Sequence, residues 1–281
     1  MSRASELVYR SLPPRPLPIP QRRLGRIARA LAREYGSPRL GNKNDPLDEL
    51  IYIVLSARTS DRLYRRTYDA LHREFPDWSG MAESRRGAIA KVIREGGLSR
   101  TKEGQLRGII EDLAERDALN LRTILGPMSD MRAEAFLVSL PGVGKKTARC
   151  VLMYSLRRKV FPVDTHVARI LGRIGGGPRL RLDDSLQDTI QRQIPPDLRY
   201  DLHVDLVAHG RAICLAVGPK CGSCCIRSDC AYYRERSARV LRSRLRNTPD
   251  STDRSRENGR GQCPKPPARR ALSSASTEAA R

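Results

Sequence analysis

Apolar residues recur along most of this chain at intervals of three and four positions, with charged and polar residues between them. That spacing places the apolar side chains on one face of an α-helix. No segment shows the strict alternation of a half-buried β-strand, so we predict an all-α fold. The segment DELIYIVLSA is almost continuously apolar and predicts a buried helix. The predicted helices span residues 22–35, 47–57, 61–74, 84–94, 102–116, 131–140, 145–156, 165–174, 186–194 and 200–214, with Asp61 placed to cap the third.

Both ends of the chain differ in composition from its middle. Residues 1–20 are rich in proline and arginine, which is typical of an extended arm. Residues 236–281 are polar and rich in arginine and serine, so we predict a disordered basic tail. We find no apolar signal segment at the start and no apolar run long enough to cross a membrane. We therefore expect a cytoplasmic, nucleoid-associated protein.

The chain carries a large excess of positive charge. Its 53 basic residues outnumber 31 acidic ones, which gives a formal net charge of +22. Residues 231–281 account for +8 of this charge, so the rest of the chain is itself basic. Such an excess favours a polyanionic partner, and nucleic acid is favoured over a membrane surface or an acidic protein. Only 8 of the basic residues are lysines, so few side chains can supply a reactive amine.

Four of the seven cysteines form the pattern C-x6-C-x2-C-x5-C, at Cys214, Cys221, Cys224 and Cys230. Four thiolates this close in sequence can converge on one centre, and thiolates bind both iron–sulfur clusters and zinc. Structural zinc sites usually combine two C-x2-C pairs, and this pattern has only one. The spacing therefore favours an iron–sulfur cluster and leaves zinc open. Cys150 lies in an apolar stretch and is predicted to belong to the core.

The segment LPGVGKKTA places two glycines before two lysines at the predicted start of a helix. Gly142 and Gly144 allow a tight turn, and the free N–H groups of the helix that follows can hold a DNA phosphate. This pattern predicts a helix–hairpin–helix that binds the DNA backbone without reading its sequence. Lys145 and Lys146 are expected to point in different directions, because neighbouring residues do not share a helix face.

Lys146 is the candidate nucleophile. It lies in the first turn of a predicted helix, where the helix dipole and partial burial both disfavour its positive charge, so we predict a lowered pKa. A neutral amine can attack C1′ of a nucleotide and form a Schiff base. Asp164 precedes the next helix, which it can cap while also serving as the carboxylate that assists the reaction. Alternatively, either lysine only holds a phosphate, and His166 is predicted to be structural or phosphate-facing.

The pairing of LPGVGKKTA with VDTH, together with the segment VAHGRAICLAVGPKCGSCCIRSDC, resembles the endonuclease III family of helix–hairpin–helix glycosylases. The resemblance covers roughly residues 40–230. It implies that Lys146 is the nucleophile and that Asp164 is the essential carboxylate. It also implies that the four spaced cysteines hold a 4Fe–4S cluster.

The same resemblance implies two domains and a double-stranded DNA partner. Residues 40–158 are expected to form a six-helix domain, and residues 159–235 a cluster domain that residues 1–39 join. DNA containing damaged bases or abasic sites is expected to lie across the cleft between them, bound by a monomer. The implied activity is excision of oxidised pyrimidines, followed by β-elimination at the abasic site.

Two positions bear on the choice of substrate. The segment VLSARTSD resembles a family segment that usually carries glutamine at the position of Arg58, where the side chain fills the gap left by a flipped-out base. An arginine can also enter the stack and bond the orphaned base, so the substrate stays open. Leu98 matches a family residue that intrudes into the duplex. A mismatch glycosylase acting on thymine or uracil opposite guanine, and a non-catalytic iron–sulfur DNA-binding protein, are the alternatives.

Overall fold

The computed structural model describes residues 19–176, residue 180 and residues 182–246. Within these residues the chain forms helices joined by turns and no β-strand, which confirms the predicted all-α fold. None of the described helices is long and apolar enough to span a membrane. Helices α1 to α13 span, in order, Gln21–Tyr35, Pro46–Ser56, Asp61–Glu74, Gly80–Glu83, Ala88–Val92, Ser99–Glu115, Leu121–Leu125, Asp130–Ser139, Lys145–Leu156, Thr165–Gly175, Asp184–Gln193, Arg199–Ala212 and Ala231–Arg246.

Local signals in the sequence fix the starts of two helices that matter for the site. Pro46 occupies the first turn of α2, and the side chain of Asp45 caps that helix by accepting a hydrogen bond from the N–H of Leu47 at 2.9 Å. Asp164 caps α10 in the same way and accepts from the N–H of Val167 at 2.8 Å. Both helices therefore begin close to the predicted positions.

Other local predictions differ from the structure. The helix predicted over residues 84–94 begins only after Gly87, whose backbone is left-handed with φ of 89°. Asp61 does not cap α3, because Ser60 occupies the cap position and Asp61 is the first helical residue. Residues 40–158, all of them described, contain eight helices rather than six. Three of the eight have five residues or fewer, which is too short to give a periodic pattern in the sequence.

The C-terminal prediction is wrong over its first residues. Helix α13 continues to Arg246, so residues 236–246 are helical instead of disordered. Alanine, leucine and arginine, which recur there, are good helix formers. The described residues up to Ala238 belong to one compact unit, and the structure describes only the end of α13 in the second unit. The rest of the predicted tail and the predicted arm before residue 19 lie outside the described residues.

The helices pack around two hydrophobic cores. The first is built by α2 to α9 and includes Leu50, Ile51 and Leu55 of α2, all fully buried. The second combines α1, with Leu31 at its centre, and helices α10 to α12. The first helix of the chain therefore packs on late helices. Each fully buried side chain of this size contributes roughly 1.5–3 kcal/mol by leaving water, so the burial of many such residues stabilises each core.

A cleft of about 940 Å³ lies where the two cores meet. Residues of α2, α3 and α9 line it from the first core, and residues of α10 and α12 line it from the second. An ion pair joins the two walls, since Arg211 of α12 lies 3.0 Å from the carboxylate of Asp61 on α3. Arg211 also donates to the hydroxyl of Tyr64 at 3.2 Å. Both packing and charge thus set the width of the cleft.

Candidate active site

The segment LPGVGKKTA forms a hairpin between α8 and α9. Gly142 has a left-handed backbone with φ of 68°, and its carbonyl accepts a hydrogen bond from Gln105 at 2.9 Å. Leu140 and Val143 are buried and anchor the hairpin in the first core. Gly144 precedes α9, and a Cβ added there would meet no atom within 4 Å. The fold alone does not require glycine at this position, and the space before the helix is open to a partner.

The cleft gathers the two residues that the sequence singles out for catalysis. Lys146, in the first turn of α9, is half-buried and lines the cleft. Cys150 and Tyr154 follow at intervals of four residues and line the cleft as well. Asp164 lines it from the start of α10. Because α9 belongs to the first core and α10 to the second, the packing of both cores is needed to bring these groups together.

The charge environment of Lys146 is opposite to the predicted one. Burial on its own lowers the pKa of Lys146, but negative charges at Cys150, Asp164 and Glu49 raise it, and the net direction is upward. The negative charges around Lys146 therefore outweigh burial, and the prediction of a lowered pKa is wrong.

Asp164 is held as a carboxylate. Burial opposes its ionisation, but His203, the N–H of Val167 and the ammonium of Lys146 lower its pKa. His203 is itself buried, and its Nδ1 lies 3.0 Å from the carbonyl oxygen of Pro162. A carbonyl only accepts, so Nδ1 carries the proton. Burial lowers the pKa of His203 to about 4, which leaves the ring neutral at neutral pH.

A fully buried carboxylate, Glu49 of α2, was missed by the sequence analysis. Its side chain accepts hydrogen bonds from the N–H of Lys43 at 2.6 Å and from the amide of Asn42 at 2.5 Å. Burial raises the pKa of Glu49 to about 8 in spite of these bonds and of the nearby charge of Lys146. Its place inside the apolar segment DELIYIVLSA was a usable signal, since a carboxylate is unusual on a buried helix.

Lys145 forms an ion pair within the protein. Its amine donates to Asp188 of α11 at 2.7 Å. Arg149, which is almost fully buried, donates to the same carboxylate at 2.5 Å and to Glu134 at 2.6 Å. This network ties the hairpin helices α8 and α9 to α11. Lys145 still lines the cleft, but Asp188 already balances its charge.

His166 lines the cleft and packs against α12 at Gly210. A Cβ added to Gly210 would come within 2.6 Å of Nδ1 of His166, so the two helices can approach only with glycine there. The guanidinium of Arg169 lies 3.0 Å from the same nitrogen. These contacts give His166 a structural role in holding α10 against α12.

Arg58 and Leu98 lie on two loops that touch each other. The hydroxyl of Thr59 donates to the carbonyl of Gly96 at 2.5 Å. Both Arg58 and Leu98 are exposed, and both have a left-handed backbone with φ of 51°. Such a conformation is uncommon outside glycine and asparagine, and it often marks functional positions. Arg58 also lines the cleft.

The four spaced cysteines line a single cavity between α10, α12 and the segment that follows them, at Cys214, Cys221, Cys224 and Cys230. All the described cysteines are free thiols. Arg173 of α10 places its guanidinium 3.1 Å from the sulfur of Cys214. Among the described residues, no group of three or more His, Cys, Asp or Glu side chains has the geometry to hold a single metal ion. The four predicted ligands therefore share one cavity without closing on one ion.

Known proteins with similar sequences identify the family of this chain. The HhH-GPD superfamily of base excision DNA repair proteins matches residues 51–196. Endonuclease III of Thermotoga maritima is 30% identical over 218 residues, which cover 78% of this chain and 97% of that protein. The chain belongs to the endonuclease III family. As a member of this family within the HhH-GPD superfamily, it is a DNA-binding base excision repair glycosylase.

Two solved structures share the endonuclease III fold of this chain. One is a trapped endonuclease III–DNA covalent intermediate, with a TM-score of 0.67 and 24% identity, which covers 78% of this chain and 99% of that one. The other is a thermostable thymine-DNA glycosylase, with a TM-score of 0.65 and 22% identity, which covers 76% of this chain and 98% of that one. These neighbours support the fold.

Replacement of Glu49 by glutamine should make the stability of the protein less dependent on pH. The folded state binds the Glu49 proton more tightly than the unfolded state, because the pKa rises from 4.5 to about 8. The stability from this group is therefore present below pH 4.5 and is lost as the pH rises through about 8. Relative to Glu49→Gln, the wild type should lose roughly 2–4 kcal/mol of unfolding free energy between pH 5 and 9.

Denaturant unfolding at a series of pH values measures this difference. Glu74→Gln, which changes an exposed carboxylate on α3, serves as the matched control and should follow the wild type. Parallel pH profiles for the wild type and Glu49→Gln would show that Glu49 is not protonated in the folded state.

Proposed function

We propose that the protein is a bifunctional DNA glycosylase and abasic-site lyase that acts on oxidised pyrimidines in double-stranded DNA. The observation that carries this proposal is the presence of Lys146 and Asp164 in one cleft. The charge of each favours ionisation of the other. An amine and a carboxylate that line one cleft open to a large substrate suit covalent attack on a sugar carbon.

The proposed reaction uses these two groups in sequence. Lys146 loses a proton, and its nitrogen forms a bond to C1′ of the flipped-out nucleotide while the bond to the base breaks. The base leaves with the electron pair and takes up a proton. Asp164 stabilises the positive charge that develops on the sugar. The sugar ring then opens to a Schiff base, water accepts a proton from C2′, and the 3′ phosphate departs by β-elimination. Water then hydrolyses the Schiff base, which releases the sugar end and restores the amine of Lys146.

The hairpin is the proposed contact with the DNA backbone. The open space at Gly144 allows a phosphate to approach the free N–H groups at the start of α9, and the turn at Gly142 exposes this edge. Lys145 and His166 line the same cleft and complete the proposed phosphate-binding surface. These contacts recognise the backbone and leave the choice of lesion to other residues.

Arg58 and Leu98 are proposed to enter the duplex where the lesion leaves it. Both side chains are exposed on touching loops, and Arg58 faces the cleft. The guanidinium of Arg58 can donate to the acceptors of an orphaned guanine. This observation also favours a second candidate function, a mismatch glycosylase acting on thymine or uracil opposite guanine.

The cysteine-lined cavity is proposed to hold a 4Fe–4S cluster. The four thiolates surround one cavity, isoleucine side chains complete its walls, and the guanidinium of Arg173 offsets negative charge at Cys214. The spacing C-x6-C-x2-C-x5-C, with only one C-x2-C pair, favours such a cluster over zinc. When bound, such a cluster cross-links the segment after α12 and supplies redox chemistry.

Lys146→Ala should abolish covalent trapping on DNA. In the wild type, borohydride reduces the Schiff base and leaves a protein–DNA adduct that migrates slowly in denaturing gels. The variant should form no adduct on abasic duplex DNA and should lose cleavage by roughly 10³-fold or more, because the nucleophile is missing. Lys91→Ala, which removes an exposed lysine on α5, is the control and should behave as the wild type. Full trapping by Lys146→Ala would assign the nucleophile elsewhere, and no trapping by the wild type would favour a non-catalytic DNA-binding protein.

Arg58→Gln should change the preference for the opposite base. The wild type should excise an oxidised pyrimidine faster when it lies opposite guanine than when it lies opposite adenine. In the variant, the ratio of these two excision rates should fall about tenfold. Single-turnover excision on the two duplexes measures the ratio. Arg62→Gln, which removes a neighbouring exposed arginine on α3, should weaken binding to both duplexes equally and leave the ratio unchanged. An unchanged ratio in Arg58→Gln would remove Arg58 from base recognition.

Anaerobically purified protein should contain about four iron and four sulfide per chain, with little zinc. Cys221→Ser should lose most of this content, because that residue lines the cavity. Cys225→Ser is the matched control and should keep it, because Cys225 is not one of the residues that line the cavity. Metal analysis and the visible absorption spectrum report both. One zinc per chain in the wild type would contradict the assignment.

A further inference from the structure

A buried lysine joins the two loops that carry Arg58 and Leu98. Lys102 of α6 is only 3% exposed. Its ammonium donates to the carbonyl of Leu55 at 2.8 Å, to the hydroxyl of Thr59 at 2.7 Å and to the carbonyl of Gly96 at 2.9 Å. An ammonium has three N–H donors, and here each has a partner.

The three acceptors flank the exposed residues on both loops. Leu55 and Thr59 lie on either side of Arg58, and Gly96 lies two residues before Leu98. Together with the hydrogen bond from Thr59 to Gly96, four hydrogen bonds join the two loops, and we call this network the clip. Hydrogen bonds are directional, so a clip of this kind fixes the distance and orientation between the loops more tightly than apolar contact does.

The clip has a cost that its structural role must offset. All three acceptors are neutral oxygens, and burial lowers the pKa of Lys102. A buried charge without a carboxylate partner is unfavourable. The left-handed backbones at Arg58 and Leu98 are also strained conformations for residues other than glycine. The clip fixes backbone atoms close to both strained residues.

We propose that Lys102 is a positioning residue that keeps Arg58 and Leu98 together as one rigid wedge for base extrusion. This inference rests on the proposed entry of those two residues into the duplex. Lys102 is buried beneath the loops, so it acts through them and not on the substrate. Its loss should therefore impair the step that opens the duplex and spare the chemistry at Lys146.

Lys102→Met removes the donors while keeping an unbranched apolar side chain in the space. Two substrates separate opening from chemistry: a duplex with one abasic site opposite guanine, and the same abasic strand without its complement. In single-turnover cleavage, the variant should lose about tenfold on the duplex and less than about twofold on the single strand. The fluorescence of 2-aminopurine beside the abasic site should also rise more slowly on the duplex. Lys91→Met, at an exposed lysine of α5, should match the wild type in all these readouts.

Thr59→Val is a second variant, which removes the Thr59 hydroxyl and so breaks the clip on the loop that carries Arg58. It should show a smaller loss confined to the duplex, and the double variant should lose less than the two single effects combined, since both act on one network. Equal loss on both substrates, or no loss on the duplex, would overturn the proposal. If Lys102→Met fails to fold, an unchanged duplex rate in Thr59→Val overturns it alone. A wild type that cleaves neither substrate contradicts the proposed function instead.

Discussion

The site depends on Lys146 and Asp164 both staying charged inside one cleft. Both groups are half-buried, yet the pKa of Lys146 is raised and that of Asp164 is lowered, so each remains charged. Attraction between opposite charges strengthens as water is excluded, so the partial burial of both groups strengthens their mutual influence. In the proposed reaction Lys146 is an ammonium before DNA binds, and it must lose its proton once the DNA lies in the cleft.

The fold supplies this pair from two separate cores. Lys146 begins a helix of the first core, and Asp164 caps a helix of the second, so the two groups line one cleft only when both cores are packed. The Arg211–Asp61 ion pair joins the two walls, and Gly210 lets His166 and its helix pack closely against α12. A disturbance far from Lys146 in sequence can therefore change its charge.

The sequence predicted well those features that are carried by short local patterns. The helical class, the hairpin at LPGVGKKTA, the cap at Asp164 and the shared position of the four cysteines all follow from residues close together in the chain. The pKa of Lys146 did not follow, because the local argument used the helix dipole and burial and omitted carboxylates brought in by folding. Lys102 was missed for the same reason, since Leu55 and Thr59 lie in another segment. Glu49 was missed although its partners, Asn42 and Lys43, are close to it in sequence.

The direct test of the central claim is the titration of the lysine side chains by NMR, with ¹⁵N at Nζ. Eight lysines in the whole chain keep the spectrum simple, and comparison with Lys146→Arg assigns the signal. Lys146 should keep its proton above the ordinary lysine pKa of about 10.4, because the negative charges around it outweigh burial. Loss of the Lys146 proton well below that pH would contradict the raised pKa.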